Sequence, residues 1–275
     1  MVIKMNLYIV RPFHRPIYKI VCADKVLLTS LRLQYGKYIN DTKTQLFELF
    51  KTTSSEIYEI EIAPHDSQNY IVRHGGNYII TPYPLLELKN LCFEITTYDE
   101  SVLALHGAAV EWNGTAYIFL AATGNGKTTL TSYLTSTGFG YITDDCVLLD
   151  REDFKVHAYN CPIHLREGGF DVLKQLNIAP NITGESMERF IYIPENLITN
   201  PLPLGGVFFI ELSNTDNILS KPKSKEIVVE LMRSPITKYK ATSYYHKTLI
   251  RLAQMPCWKL VYKDMNFVAD TIKSI

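Results

Sequence analysis

The segment Ala121–Thr128 reads Ala-Ala-Thr-Gly-Asn-Gly-Lys-Thr and follows the phosphate-loop (Walker A) pattern G-x-x-x-x-G-K-[ST], with alanine in the place of the first glycine. In such a loop the glycines let backbone N–H groups converge on phosphate oxygens, and the next helix adds partial positive charge at its N-terminus. We expect Lys127 to reach the β- and γ-phosphates, Thr128 to bind Mg²⁺ and Thr123 to offer a further hydroxyl. The predicted nucleotide-binding residues are Thr123, Gly124, Asn125, Gly126, Lys127, Thr128 and Thr129.

The sequence on either side of this loop distinguishes a nucleotide site from a plain glycine-rich turn. Ala116–Ala121 is continuously apolar, which predicts a buried strand leading into the loop. Leu130, Tyr133 and Leu134 then share one face of a predicted helix that ends at Gly138. A turn that binds no ligand is the alternative, but Gly-Lys-Thr at the start of a helix after a buried strand favours nucleotide binding.

Two adjacent carboxylates, Asp144 and Asp145, follow a short β-prone segment beyond this helix. Two acids inside an apolar stretch repel each other and resist desolvation, and a nearby Mg²⁺ would remove that cost. One acid could then help to hold the metal while the other orients or deprotonates an attacking hydroxyl. The alternative is a solvated Asp-Asp turn on the surface, which is the usual place of such a dipeptide. Its position directly after a phosphate-loop helix favours the catalytic interpretation.

Taken together, these motifs resemble the HPr kinase/phosphorylase superfamily, whose core is related in architecture to phosphoenolpyruvate carboxykinase. The matching residues are the run Leu105–Val110 (Leu-His-Gly-Ala-Ala-Val), the Asn113-Gly114 turn, the phosphate loop and Gly138–Asp145. The resemblance is strong over Leu105–Asp150 and weak over the residues that follow. It implies an α/β fold with a mixed sheet and flanking helices, and ATP and Mg²⁺ as cofactors.

The resemblance also implies roles for individual residues. Lys127 and Thr128 bind phosphate and Mg²⁺, Asp144 activates an acceptor serine hydroxyl, Asp145 contributes to the metal site, and His106 lies beside the acidic pair. A serine hydroxyl is a poor nucleophile at neutral pH, so a carboxylate within hydrogen-bonding reach is chemically sensible. Without the resemblance, His106 would be interpreted as a structural histidine on a strand.

The chain departs from this family in two places. The later family signature is absent, and Leu165–Gly169 resembles it only faintly. The N-terminal part is unlike that of HPr kinases, and the layout is more similar to homologues associated with lasso-peptide and other ribosomal-peptide gene clusters, which phosphorylate a serine of a precursor peptide.

Arginine suits the stabilisation of transferring phosphoryl groups. The candidates are Arg166, Arg189 and Arg233, and Arg166 is preferred because Pro162 and Gly168-Gly169 indicate an ordered loop.

Composition narrows the classes of protein to which the chain can belong. The 275 residues carry 28 Lys+Arg against 28 Asp+Glu, a balance that argues against a general nucleic-acid or anionic-membrane binder. The longest apolar run is far short of the ~20 residues of a membrane span, and the N-terminus does not have the pattern of a signal peptide. The five scattered cysteines and the histidines show no zinc-ligand spacing. We therefore expect a cytoplasmic protein with reduced cysteines.

The hydrophobic pattern divides the chain near Thr81. Residues 1–81 predict a small β-rich domain, including the strands Ile57–Ile62 and Asn77–Thr81 and a hairpin turn at Gly75-Gly76. Residues 82–275 predict the nucleotide-binding catalytic domain. It begins with an amphipathic helix from Leu85 to about Tyr98 and continues with a strand over Val102–Glu111. Further elements are predicted as a strand at Val207–Leu212, a loop at Ser213–Lys225, helices near Thr242–Ala253 and Asp264–Ser274, and a strand at Trp258–Tyr262.

These expectations combine into a kinase that uses ATP and Mg²⁺ to phosphorylate a serine on a peptide or small protein, for example the C-terminal serine of a lasso-peptide precursor. The β-rich domain would recognise the acceptor, because an exposed strand edge can add an extended peptide. The sequence leaves open a kinase of free serine, a nucleotide-binding regulator without phosphoryl transfer, and a homo-oligomer.

Overall fold

The computed structural model describes residues 5–10, 17–35, 39, 57–96, 101–178, 182–186, 189–234, 236 and 243–275. The chain forms two units, Met1–Asp99 and Glu100–Ile275, each with its own core. Both contain strands and helices, so the fold class is mixed α/β. Among the described residues, no helix is both long enough and apolar enough to cross a membrane.

The first unit is built on one five-stranded sheet with the order β1-β2-β3-β4-β5, in which only β2 and β3 are parallel. Its elements are β1 (Met5–Val10), β2 (Ile17–Cys22), α1 (Lys25–Tyr35), β3 (Ile57–Pro64), β4 (Tyr70–His74), β5 (Asn77–Thr81) and α2 (Pro84–Thr96). The strand predicted over Ile57–Ile62 is confirmed as part of β3, in which Ile60 and Ile62 are buried while Ile57 is exposed. Helix α1 was not predicted from the sequence.

Helix α2 belongs to the first unit, Met1–Asp99, and not to the second unit. Leu88, Cys92 and Ile95 recur on one face of the helix, as the sequence predicts, and this face packs into the core formed by the five-stranded sheet. The two units therefore divide at Asp99/Glu100 rather than at Thr81. The sequence pattern identified the helix but not the sheet against which it packs.

The second unit is built on a mixed six-stranded sheet with the order β16-β17-β15-β8-β7-β9. Its central strands β8, β15 and β17 are parallel, and two three-stranded sheets, β11-β10-β6 and β12-β14-β13, complete the unit. The strands are β6 (Val102–His106), β7 (Ala108–Trp112), β8 (Thr115–Leu120), β9 (Gly140–Thr143), β10 (Cys146–Asp150), β11 (Val156–His157), β12 (Ile163–Arg166), β13 (Ile182–Ser186), β14 (Arg189–Tyr192), β15 (Leu204–Leu212), β16 (Ile218–Ser220) and β17 (Cys257–Tyr262). The helices are α3 (Lys127–Ser136), α4 (Glu167–Gln175), α5 (Ser224–Arg233), α6 (Ser243–Leu252) and α7 (Met265–Ser274).

Two elements of the second unit differ from the sequence prediction. The single strand predicted over Val102–Glu111 is two strands that belong to different sheets, β6 and β7, and they are separated at Gly107. The loop predicted over Ser213–Lys225 contains the short edge strand β16 and the first residues of α5. In each case one strand pairs with a strand that is distant in sequence, β6 with β10 and β16 with β17, so local patterns could not identify it.

Candidate functional site

The strand order of the large sheet brings the phosphate loop and the acidic pair to the same edge. Strand β9 is antiparallel to β7, and β7 is antiparallel to β8, so β8 and β9 point in the same direction. Thr143 pairs with Ala109, which in turn pairs with Ile118 of β8. Asp144 follows Thr143 directly and therefore lies level with the carboxyl end of β8, where the phosphate loop begins.

The phosphate loop has a backbone shape that only glycine adopts easily. Gly124 and Gly126 have φ angles of 92° and 76°, in the left-handed region that side chains disfavour. Gly126 is also the N-cap of α3, so no capping side chain occupies the first N–H groups of this helix. These N–H groups and the partial positive charge of the helix N-terminus suit a phosphate.

Lys127 is the first residue of α3 and is only 7% exposed. Its ammonium group donates a hydrogen bond to the Ala121 carbonyl at 2.7 Å. Burial lowers the pKa of Lys127, and the negative charges of Asp144 and Asp145 oppose this shift. A buried cation is thus held between the start of the loop and the acidic pair, where the triphosphate of a nucleotide would need it.

The two aspartates occupy different environments. Asp144 is buried, with 5% of its surface exposed, whereas Asp145 is half-buried. The solvated Asp-Asp turn that the sequence left open does not describe Asp144. Both residues line one cavity together with Lys127. The arrangement can place one carboxylate beside a reacting hydroxyl and the other beside a metal ion.

His106 approaches the backbone of the acidic pair. Its Nδ1 lies 3.3 Å from the Asp145 carbonyl oxygen, and the neighbouring Gly107 N–H donates to the same oxygen at 3.4 Å. A carbonyl oxygen can only accept, so Nδ1 carries the proton in this contact. Any Cβ on residue 107 would lie 2.8 Å from the Phe119 carbonyl oxygen, a backbone atom. Glycine at this position therefore allows β6 and β7 to diverge against the end of β8.

Strand β12 and helix α4 form a further wall of the cavity. Along β12, Ile163 and Leu165 are buried in the core, while the alternate residues His164 and Arg166 line the cavity. Gly168 and Gly169, at the start of α4, line it as well. His164 was not predicted as a site residue, although the alternation Ile-His-Leu-Arg in the sequence was the available signal.

The cavity formed by these elements has a volume of about 490 Å³, which is within the usual range for small-molecule sites. Ten of the predicted site residues line it: His106, Thr123, Gly124, Gly126, Lys127, Thr128, Thr129, Asp144, Asp145 and Arg166. Asn125 instead lines a second cavity of about 400 Å³ beside the phosphate loop. Arg233 also lines this second cavity and pairs with Glu230 at 3.1 Å. The side chain of Arg189 lies outside the described residues.

The residues of the larger cavity fit a nucleotide with Mg²⁺. The Thr128 hydroxyl and the aspartates are hard oxygen ligands, which Mg²⁺ prefers. Within the described residues, no group of three or more His, Cys, Asp or Glu side chains is arranged to hold a metal ion. A Mg²⁺ ion would therefore take its remaining ligands from phosphate and water, as is usual for this metal at nucleotide sites.

Similarity to known proteins is found at the level of solved structures. No protein-family model and no curated protein sequence matches it. The HPr(Ser) kinase/phosphatase from Coxiella burnetii is one solved structure to which it is similar, at 11% sequence identity. The alignment covers 62% of this chain and 88% of the other, with a TM-score of 0.33. The similarity is a distant one.

Proposed function

We propose that the Glu100–Ile275 unit is a kinase that transfers the γ-phosphoryl group of ATP to a serine hydroxyl of a peptide or small protein, in the presence of Mg²⁺. The observation that carries the proposal is the single cavity shared by the phosphate loop, the buried Lys127 and the two aspartates. A loop that serves only as a turn does not require a buried lysine facing two carboxylates at the edge of the sheet.

Binding of the triphosphate would use the backbone of the phosphate loop and the side chain of Lys127. The N–H groups at the start of α3 would donate to phosphate oxygens, and the ammonium group would exchange its contact with the Ala121 carbonyl for the γ-phosphate. Because Lys127 is buried, its interaction with phosphate is little weakened by water. The Thr128 and Thr129 hydroxyls line the same space and could bind further oxygens.

In the transfer step the γ-phosphoryl group would move from an oxygen of ATP to the acceptor oxygen. The acceptor oxygen forms a bond to the γ-phosphorus as the bond from this phosphorus to the β–γ bridging oxygen breaks, and ADP leaves with that oxygen. The proton of the acceptor hydroxyl passes to Asp144. Asp145 and Thr128 would hold Mg²⁺, which neutralises charge on the phosphates when it is bound. Arg166 is the preferred cation for the transferring group, because it lines this cavity whereas Arg233 lines the second one.

The acceptor class rests on the sequence resemblance rather than on the cavity. The resemblance favours a serine hydroxyl in a peptide, and its narrowest form is the C-terminal serine of a ribosomal precursor peptide such as a lasso peptide. Incubation of the full chain with γ-labelled ATP, Mg²⁺ and either serine-containing peptides or free amino acids would test this. We expect the label on peptide serine. Label on free serine would indicate a small-molecule kinase instead, and ATP binding without any transfer would favour a nucleotide-binding regulator.

A further inference from the structure

Strand β5 is the last strand of the sheet in the first unit, within the residues that the structure describes. It joins β4 through the two-residue turn Gly75-Gly76, and His74 pairs with Asn77 across that turn. In a two-residue hairpin this closing pair is hydrogen-bonded, and hydrogen-bonded and non-hydrogen-bonded pairs then alternate along the strands. The backbone polar groups of Tyr78 and Ile80 therefore point away from β4, towards the open edge.

The exposed edge carries apolar side chains. Tyr78, Ile79 and Ile80 are 67%, 45% and 44% exposed. Long edge strands in natural proteins are usually protected by charges, prolines or bulges, because an exposed apolar edge pairs with other chains. Along β5 itself, Asn77–Thr81 contains no charged residue and no proline. The edge therefore has the features of a strand that accepts a partner strand.

A groove runs beside this edge, between the β4–β5 hairpin and helix α2, and we call it the β5 groove. Its volume is about 420 Å³, and its lining includes the apolar side chains of Val72, Ile79, Leu91 and Ile95. Glu87 and Glu94 line it from α2 and lie two helical turns apart, about 10 Å along the axis. No lysine or arginine lines the groove among the described residues. The groove thus combines apolar side chains with two carboxylates from helix α2.

We propose that the β5 groove binds an extended peptide segment with basic side chains, which pairs with β5 as an additional strand. Main-chain hydrogen bonds to Tyr78 and Ile80 would hold the segment, since strand addition derives its affinity from these bonds. Its groove-facing apolar side chains would contact Ile79 and Leu91, and its lysines or arginines would approach Glu87 and Glu94. The site lies within Met1–Asp99 and does not depend on the kinase activity proposed for the other unit.

The test uses the full chain without nucleotide and a synthetic peptide of about nine residues. The peptide is rich in β-branched residues and has lysine at every fourth position, which places the lysines on one face about 13 Å apart. We expect saturable binding in a fluorescence-anisotropy titration, and at least tenfold weaker binding of the same peptide with glutamate in place of lysine. Equal affinity for the two peptides, or no binding of the lysine peptide, would overturn the proposal.

Three variants distinguish the effect of the glutamate charges from the effect of the strand edge. Glu87→Gln combined with Glu94→Gln should weaken the lysine peptide several-fold and bring its affinity closer to that of the glutamate peptide. Ile80→Pro removes an outward-facing N–H and should weaken binding about tenfold, while Ile80→Thr, which keeps this donor, should bind nearly as well as the wild type. Circular dichroism would establish that each variant is folded. If the chain instead self-associates through this edge, and Ile80→Pro alone makes it monomeric, the occupant is a second copy and the proposal is wrong.

Discussion

The Tyr262 hydroxyl donates a hydrogen bond to the Asn125 carbonyl oxygen at 3.3 Å and thereby joins the end of β17 to the phosphate loop. Tyr262 is only 2% exposed, and burial raises the pKa of its phenol, so the hydroxyl stays protonated at neutral pH. The hydroxyl oxygen of Tyr262 would lie 2.6 Å from a Cβ added at Gly126. A residue far away in the sequence therefore contacts the phosphate loop and stabilises its backbone.

We expect Gly126→Ala to weaken ATP binding at least tenfold. Alanine in the left-handed region costs about 1–2 kcal/mol, and its Cβ would also collide with the Tyr262 hydroxyl. Adding Tyr262→Phe to this variant removes the collision but not the backbone strain, so the double variant should recover only part of the affinity. Isothermal titration of ATP into the three proteins measures the effect, with Gly114→Ala as the control, because this glycine has the same φ of 76°, lines neither cavity and would place its Cβ more than 4 Å from any atom. Unchanged affinity in Gly126→Ala would contradict the predicted role of the loop.

Replacement of Asp144 by Asn should abolish transfer while ATP still binds. An amide cannot accept the acceptor proton, and loss of a general base typically costs 10²–10⁴-fold in rate. ATP affinity should change by only a few-fold, because the loop and Lys127 remain. Transfer of labelled phosphate and ATP titration would be measured side by side, with the exposed Asp153→Asn as the matched control. Full biological activity in a variant that binds ATP without transfer would instead support a regulatory protein.

Lys127→Met should remove nucleotide binding without destabilising the ligand-free protein. Burial disfavours the charged lysine, so the lost desolvation cost offsets the lost hydrogen bond to Ala121. We expect a free energy of unfolding within about 1 kcal/mol of the wild type or above it. Thermal unfolding with and without ATP and Mg²⁺ should show a ligand-induced rise in Tm for the wild type and for the exposed Lys174→Met control, but none for Lys127→Met.

Because the pKa of Lys127 is lowered, the difference in stability between the wild type and Lys127→Met should depend on pH. The unfolded chain holds this proton more tightly than the folded chain, so the folded state gains stability as the pH rises through the lowered pKa towards the ordinary value. The wild type should therefore become more stable relative to Lys127→Met as the solution is made alkaline. A difference that shrinks with rising pH would show that the lysine is not buried as described.

Cys257, at the start of β17, provides a separate test of burial in the core of the second unit. Burial raises the pKa of its thiol to about 11 from an ordinary value of 9.0. Below pH 9.0 the thiol makes its full contribution to the free energy of unfolding. This contribution is lost as the pH rises from 9.0 towards 11, because the thiol then ionises in the unfolded chain but not yet in the folded protein. Denaturant titrations of the wild type and Cys257→Ala should show the wild type losing up to about 1.4 kcal/mol per pH unit relative to the variant in this window. Rapid reaction of the native thiol with a thiol reagent at neutral pH would contradict its burial.

The elements of the site could be predicted from the sequence where the signal is local. The apolar run before Ala121, the two glycines of the loop and the helix face with Leu130 and Leu134 predicted the strand, loop and helix that the structure contains. The sequence also singled out Asp144, but it could not decide between a solvated turn and a buried carboxylate. That choice depends on which strand pairs with β9, and its partner β7 lies well before it in the chain.

Pairing between distant strands decided the remaining features. His164 became a cavity residue because β12 pairs with β14 and its alternate side chains face the phosphate loop. Helix α2 joined the first unit because its apolar face meets a sheet that no local pattern assigns to it. The sequence by itself determined the strand, the glycine-rich loop and the helix that follow one another at Thr115–Ser136, since backbone conformation and helix periodicity are properties of short segments. Only the tertiary structure determined which acids, histidines and arginines meet that loop, because such contacts depend on the register and order of strands that lie far apart in the chain.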